Sequence, residues 1–374
     1  MTDLSIYVHW PFCSLKCPYC DFNSHVRETV NHDLWKAALL RDLAHEAALL
    51  PGRQVRSIFF GGGTPSLMPP ATVAAMIDAV TGHWPVADDL EITLEANPQS
   101  AEADKFADLA RAGVNRLSLG LQRFADASLA FLGRLHDADE GLRALADAQA
   151  AVKRVSFDLI TALPGDTPET FAPVLERALS LGTDHISLYQ LTIEPGTRFE
   201  TMVRKGDFTP IDEDLGAELF EMTADRMTAA GLPPYEISNH ARTGQESRHN
   251  LTYWRYHDYV GVGPGAHGRR GGMRTVRHRK PENFLDAVRR NGHGLREEEK
   301  LTRREAAREA LVMGLRLSEG IDLMEIERRF GVVAVDADAT RRLIEQGLLT
   351  HDDRLKLTRA GRLLNDAILA EIAL

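Results

Sequence analysis

The sequence predicts an α/β fold built on a parallel sheet, with a smaller, mainly helical module after it. Three observations lead there. Short apolar runs alternate with longer amphipathic stretches over residues 5–191, at a spacing of roughly thirty residues, the length of a strand–crossover–strand unit. The short runs read as near-continuous apolar segments, as parallel strands covered on both faces should. Residues 301–374 read instead as helices followed by a short hairpin. Strand–helix alternation implies right-handed crossovers between parallel strands. Six units fall short of the eight that close a barrel, which leaves a partial (β/α)6 barrel or an open doubly wound sheet.

Residues 5–10 form the first strand, and a cysteine loop follows. Residues 32–50 carry Leu34, Trp35, Ala38, Leu39 and Leu43 at helical spacing. Residues 55–60 are the second strand, ended by Gly61-Gly62-Gly63, and 70–81 the next helix. The third strand, 90–96, carries Glu95 near its end and precedes a helix over 101–112. The fourth, 116–121, ends at Gln122, and a helix over 137–150 follows. The fifth, 154–160, holds Asp158 and leads through Leu163-Pro164-Gly165-Asp166 to a helix over 168–181. Residues 185–191 are the sixth strand. A barrel would place the groups at these strand ends on one rim.

A helix over 212–230 and a short strand over 235–238 complete a core spanning 1–240. Residues 241–300 read as a Gly/Arg-rich connector of weak periodicity. Its cationic run, 269–280, is expected to be a solvated loop; an anionic partner such as a porphyrin propionate or a lipid headgroup is the sharper alternative. In 301–374, helices over 303–317, 323–330 and 340–346 precede strands at 348–350 and 355–358 around Asp352-Asp353. That order resembles a winged helix. The acidic residues beside the hairpin point to a packing or partner module rather than a reader of nucleic acid.

The chain has 374 residues, 44% of them hydrophobic, enough for a sizeable core. Its formal charge of −10, from 44 basic and 54 acidic residues, argues against nucleic acid held by phosphate neutralisation. No run of ~18 apolar residues is present to span a membrane, and no secretory signal is apparent. A reducing, cytoplasmic setting fits the unpaired cysteines, and it leaves room for peripheral membrane association.

All three cysteines fall within eight residues, Cys13-Ser14-Leu15-Lys16-Cys17-Pro18-Tyr19-Cys20. An odd number leaves one thiol outside any disulfide. A structural zinc needs a fourth ligand, which His9 or His25 could supply. Three thiolates also suit an iron–sulfur cluster with one iron left open. The C-x3-C-x2-C spacing, with Tyr19 before the last cysteine, resembles the signature of the radical S-adenosylmethionine (radical SAM) superfamily. That resemblance favours the partial (β/α)6 barrel. It implies a 4Fe-4S cluster on Cys13, Cys17 and Cys20, whose open iron takes S-adenosyl-L-methionine (SAM).

Further segments occur in the order found in proteins similar to oxygen-independent coproporphyrinogen III oxidase. They are Tyr7-Val8-His9-Trp10-Pro11-Phe12, Gly61-Gly62-Gly63-Thr64-Pro65-Ser66, Glu95-Ala96-Asn97-Pro98, Gly120-Leu121-Gln122, Leu132-Gly133-Arg134-Leu135-His136 and Asp158-Leu159-Ile160. By that resemblance Tyr7, Tyr19, Gly62, Gly63, Thr64, Glu95, Gln122, Arg134 and Asp158 contact SAM. The chemistry agrees: a carboxylate accepts from an ammonium or ribose hydroxyls, and a guanidinium pairs with a carboxylate in a fork.

Two features separate the branches of this family. The dehydrogenase branch has a fourth cysteine two positions after the third, where this chain has Phe22. The segment His249-Asn250-Leu251-Thr252-Tyr253-Trp254 resembles the H-N-x-x-Y-W heme-binding signature of the HemW heme chaperones. Imidazole is a good axial ligand for heme iron, and Tyr253 and Trp254 offer flat apolar faces. The resemblance therefore implies heme held by His249, Asn250, Tyr253 and Trp254, with His267 a weaker ligand candidate. It further implies delivery of heme to respiratory heme proteins, allows a homodimer, and leaves the role of SAM open among catalysis, structure and control of heme release. Coproporphyrinogen dehydrogenase activity is the alternative and is not expected.

Overall fold

Alternation along the strands, more than their overall hydrophobicity, builds the sheet. Along the first strand Leu4, Ile6, Val8 and Trp10 are buried against helices, while Ser5, Tyr7 and His9 take the other face. The same pattern recurs as Leu117, Leu119 and Leu121 against Ser118, Gly120 and Gln122, and as Val155, Phe157 and Leu159 against Ser156 and Asp158. Each strand thus presents an apolar row to the helical layer and a polar row to the barrel interior.

The computed structural model describes residues 3–100 and 103–374. The barrel opens with β1 (Asp3–Trp10), the two-residue strands β2 (Phe12–Cys13) and β3 (His25–Val26), α1 (His32–Leu49), β4 (Gln54–Gly62) and α2 (Pro70–His83). It continues through β5 (Val86–Ala96), α3 (Ala103–Arg111), β6 (Arg116–Gln122), α4 (Asp126–Phe131), α5 (Ala138–Ala151), β7 (Arg154–Thr161), α6 (Pro168–Ser180) and β8 (His185–Gln190). Then come α7 (Arg198–Lys205), α8 (Glu213–Ala229), β9 (Asn239–Ala241), α9 (Arg248–Trp254), β10 (Tyr259–Val262), β11 (His267–Arg270), β12 (Met273–Arg277), α10 (Pro281–Asn291) and β13 (Leu295–Lys300). The main sheet runs β13-β12-β11-β10-β1-β4-β5-β6-β7-β8-β9. Its six central strands are the expected parallel set, joined by helical crossovers. The expected start of a helix at Ala101 lies outside the described residues; α3 is described from Ala103.

Two sequence expectations are corrected. The short strand placed at 235–238 is a turn, closed by the Tyr235 N–H donating to Asn239 O at 3.1 Å. Pairing with β8 starts only at Asn239, after Pro233 and Pro234, which have no N–H to donate. The basic run 269–280 is no solvated loop. Arg277 is 0% exposed and donates to Asp42 at 3.1 Å and Glu46 at 2.7 Å, one turn apart on α1. Arg270 pairs with Glu46 and with Glu298, and Arg269 lies 3.6 Å over the Tyr256 ring. These cations are answered from inside.

Residues 241–300, read as a connector, carry β10 to β13. β10 pairs in parallel with β1, and β11 to β13 follow antiparallel. Beyond them, α11 (Arg303–Gly314), α12 (Leu323–Phe330), α13 (Ala337–Glu345), the hairpin β14 (Leu349–His351) and β15 (Leu355–Leu357), and, after the short α14 (Arg359–Leu363), α15 (Asn365–Ile372) share a second core around Leu311, Leu343 and Ile372, to which α14 adds no residue. Arg255 binds Glu319 through a two-bond fork, both at 2.9 Å, and ties this module to the barrel. Among the described residues no helix is long and apolar enough to cross a membrane.

Candidate functional site at the strand ends

The cysteine loop leaves β1 at the C-terminal end of the strands. Its base is the short parallel pairing of Phe12 with His25 and Cys13 with Val26. His9 sits between the Tyr7 hydroxyl and the Asn23 carbonyl, each at 2.9 Å. Both ring nitrogens are engaged there, and burial drops its pKa to about 4. His9 is therefore a brace and offers no nitrogen to zinc. The Asn23 amide donates to Pro264 O and Arg279 O, both at 2.9 Å, so the loop is latched to the β10–β12 segment.

All three cysteines are free and partly exposed. Among the described residues no three His, Cys, Asp or Glu side chains converge as ligands of one ion. A cluster with one thiol on each of three irons asks for no such convergence. The donor set fits that group. Burial pushes the Cys13 and Cys20 thiols up, and coordination would deprotonate them. The Thr64 hydroxyl and Arg134 Nη1 each approach a cysteine sulfur at 3.5 Å, those of Cys13 and Cys17.

The glycine turn closes one wall. Gly62 has φ +115°, and a Cβ on Gly63 would come within 2.7 Å of Phe12 O and 3.0 Å of Cys13 Sγ. Only glycine allows the backbone so near the cysteine loop. Glu95 Oε2 accepts the Gly62 N–H at 3.2 Å. Burial, reinforced by the charge of Asp158, raises Glu95 to about 8. Burial likewise raises Asp158 to about 6, against the pull of Ser187 and of the Arg116 and Arg134 charges. Two carboxyls in one lumen resist ionising together, and a cationic ligand would relieve both.

Gln122 ends β6 with φ +65°, rare for a residue with a side chain. Arg134 donates to Gly120 O at 2.9 Å and Asn97 Oδ1 at 2.5 Å, and its Nη1 lies 3.4 Å from the Tyr19 hydroxyl. The structure thus brings Tyr19, Gly62, Gly63, Thr64, Glu95, Gln122, Arg134 and Asp158 toward the cysteine end of the barrel, and Tyr7 spans the lumen below them, its ring 6.2 Å from that of His249.

The heme signature lies at the other end. α9 plugs the barrel among the N-terminal halves of the strands. His249 is 1% exposed; its Nδ1 is 2.9 Å from Ser57 Oγ and its Nε2 2.7 Å from the Tyr253 hydroxyl. Burial drops its pKa to about 3. His249 and Tyr253, one turn apart, face inward, and His249 stacks on Phe59 at 4.8 Å. Asn250 and Trp254 belong to another face: the Asn250 amide lies 3.5 Å from the Tyr235 hydroxyl, and Arg316 sits 4.7 Å over the Trp254 ring. His267 lies on β11 and is exposed.

Sequence reasoning missed the residue that seats α9. Glu91 of β5 is buried, accepts the N–H groups of Arg248 and His249, each at 3.2 Å, and pairs with Arg154 at 2.7 Å. Burial opposes its ionisation, but Arg116, Arg154 and the two N–H groups hold it below the usual carboxylate range. Glu91 lies one period-two row below Thr93 and two below Glu95, and that alternation was the available signal.

A parallel barrel with three thiols on the loop after its first strand is the framework of a radical SAM protein. The Radical SAM superfamily model matches residues 7–178, and the HemN C-terminal domain model matches residues 301–364. The solved coproporphyrinogen III oxidase (HemN) of Escherichia coli, a radical SAM enzyme, superimposes with a TM-score of 0.84 at 25% identity, over 99% of this chain and 89% of that one. Among curated relatives, heme chaperone HemW of Escherichia coli is 43% identical over 76% of each chain. Heme chaperone HemW of Mycobacterium tuberculosis is 36% identical over 97% of this chain and 93% of its own. The mitochondrial radical S-adenosyl methionine domain-containing protein 1 of mouse is 39% identical over 98% of this chain and 87% of its own. The chain belongs to the HemW family.

Proposed function

We propose that this chain is a heme chaperone. It binds heme and passes it to respiratory heme proteins, with a 4Fe-4S cluster on Cys13, Cys17 and Cys20 and SAM at the open iron. The observation that carries this reading is kinship with proteins named heme chaperones along 97% of the chain. Phe22 speaks against the dehydrogenase alternative: it is 58% exposed and puts a phenyl ring where that branch has its fourth thiol.

In the SAM site Glu95 and Asp158 take the cationic part of the ligand, which draws both back to the ionised form. Arg134 orients its carboxylate. Gly62 and Gly63 offer backbone groups without side-chain obstruction, Thr64 flanks Cys13, and Tyr7 walls the lumen. A reduced cluster held on Cys13, Cys17 and Cys20 would supply one-electron reducing chemistry to SAM bound there.

His249 is the proposed axial ligand of heme iron. To serve, its Nε2 must leave the Tyr253 hydroxyl and α9 must lift from Glu91 and Ser57. Heme uptake is then coupled to a movement of the barrel plug. The test is transfer: heme-loaded protein is mixed with heme-depleted respiratory membranes, and the heme spectrum of the recipient is followed. Recovery of cytochrome absorbance beyond that given by free heme supports the proposal. Retention of all heme by the donor contradicts it.

A further inference from the structure

A groove on the outer flank of the rim takes no part in the site above. Its walls are α4 and α6, and its base is the turn that follows β7. α6 presents Thr170, Pro173, Val174 and Arg177 to it, the i, i+3, i+4, i+7 stripe of one helix face. Phe131 of α4 stands opposite. The cavity measures about 580 Å³, within the range of small-molecule sites.

Two cations mark this largely apolar space. Arg123, at the base, is 5% exposed and pairs with Asp166, which also accepts the Leu163 N–H at 2.8 Å. Arg123 Nε is nonetheless buried with no partner, and a buried donor left unused in a native fold asks for an explanation. Arg177, on the helix face, has no ion-pair partner among the described residues. The Asp166 carboxylate thus answers Arg123 alone, and the exposed Arg177 adds an unpaired positive charge to the groove, in a chain whose net charge is −10.

We propose that the groove binds an amphipathic carboxylate. Its apolar body lies against Phe131 and Val174, and its carboxylate turns toward Arg123 and Arg177. A tetrapyrrole propionate edge and a fatty acid share that chemistry. The groove also backs onto the cysteine loop: the Phe131 ring is 4.9 Å from Phe199, and the Phe199 ring is 6.2 Å from Tyr19. The Phe199 N–H donates to Pro18 O at 2.9 Å. The inference stands apart from the heme reading, because neither α9 nor the cysteine loop lines the groove.

The test is calorimetric titration of the full chain with metal-free mesoporphyrin IX and, separately, with dodecanoate. The variants are Val174→Trp, which fills the groove, Arg177→Glu, which reverses its charge, and Arg341→Glu, an equal charge reversal on the exposed face of α13, as a control. Wild type is expected to bind at least one probe in the micromolar range. Each groove variant should weaken that binding about tenfold or more, and Arg341→Glu should leave it unchanged. Loss confined to the porphyrin assigns the groove to a tetrapyrrole, and loss confined to dodecanoate to a fatty acid. Loss of both assigns it to the shared carboxylate chemistry. Absence of binding to wild type overturns the proposal. So does affinity that survives both groove substitutions, or that falls equally in Arg341→Glu.

Discussion

Replacing Glu91 by alanine should unseat the barrel plug. The carboxylate answers Arg154 and the first two N–H groups of α9 from a buried position. Its removal leaves two helix-terminal donors and Arg154 Nη1 without a partner, while Arg154 Nε and Nη2 keep Gln245 and the Glu246 carbonyl. A hydrogen bond to a charged group contributes about 1.5–3 kcal/mol, and breaking a buried ion pair from one side costs about 3–5 kcal/mol. These contributions overlap, so about 3–5 kcal/mol is the expected loss of stability. Urea unfolding of Glu91→Ala should show it as a lower midpoint at unchanged slope. Amide hydrogen exchange should locate it, with protection falling in α9 while α1 and α2 keep theirs. Under the proposed mechanism heme should also enter this variant faster, because α9 must move to free His249. A loss below about 1 kcal/mol, with α9 protection intact, would refute the assignment of Glu91 as the seat of the plug.

Three further outcomes follow from the same geometry. Glu95 has a folded pKa of about 8 against an ordinary value of 4.5, so its stabilising neutral form is fully present below pH 4.5 and its contribution is lost as pH rises through 8. The ligand-free wild type should therefore lose thermal stability across that window, whereas Glu95→Gln should stay flatter and be on the order of 2–4 kcal/mol more stable at pH 8; coincident profiles would count against a buried carboxyl there. Arg277→Ala leaves Asp42 buried without a guanidinium and Glu46 with that of Arg270 alone, and should cost about 3–5 kcal/mol in chemical unfolding, with a change under 1 kcal/mol placing the cluster at the surface instead. Asn23→Ala frees the cysteine loop from Pro264 and Arg279, so the reconstituted cluster should bleach several-fold faster in air at unchanged initial iron content; equal bleaching rates would show that the latch does not hold the loop.

What could be read from sequence was local and periodic. Leu34, Trp35, Ala38, Leu39 and Leu43 repeat at helical spacing, and α1 ends within one residue of the expected boundary. The three cysteines and the glycine triplet fall at strand ends because the β/α repeat sets them there. α4 and α7 escaped notice because they span only six and eight residues, too short for a period to declare itself. The partners of Arg277 lie on α1, far away in sequence, so no local pattern could show that its charge is met inside. The four-residue strands β10 and β11 were hidden by their glycines and arginines. The heme signature was legible as a string, but its split between two faces of α9 depends on Glu91 and Ser57, which only the fold brings beneath it.

The most direct test of the central claim combines two assays on one anaerobically reconstituted preparation. Heme is titrated by absorbance into wild type and His249→Ala, and coproporphyrinogen III decarboxylation is measured alongside. Tight heme binding that depends on His249, with no decarboxylation, is the predicted result. Turnover of coproporphyrinogen III to protoporphyrinogen would contradict it and make Phe22 a tolerated replacement in a dehydrogenase.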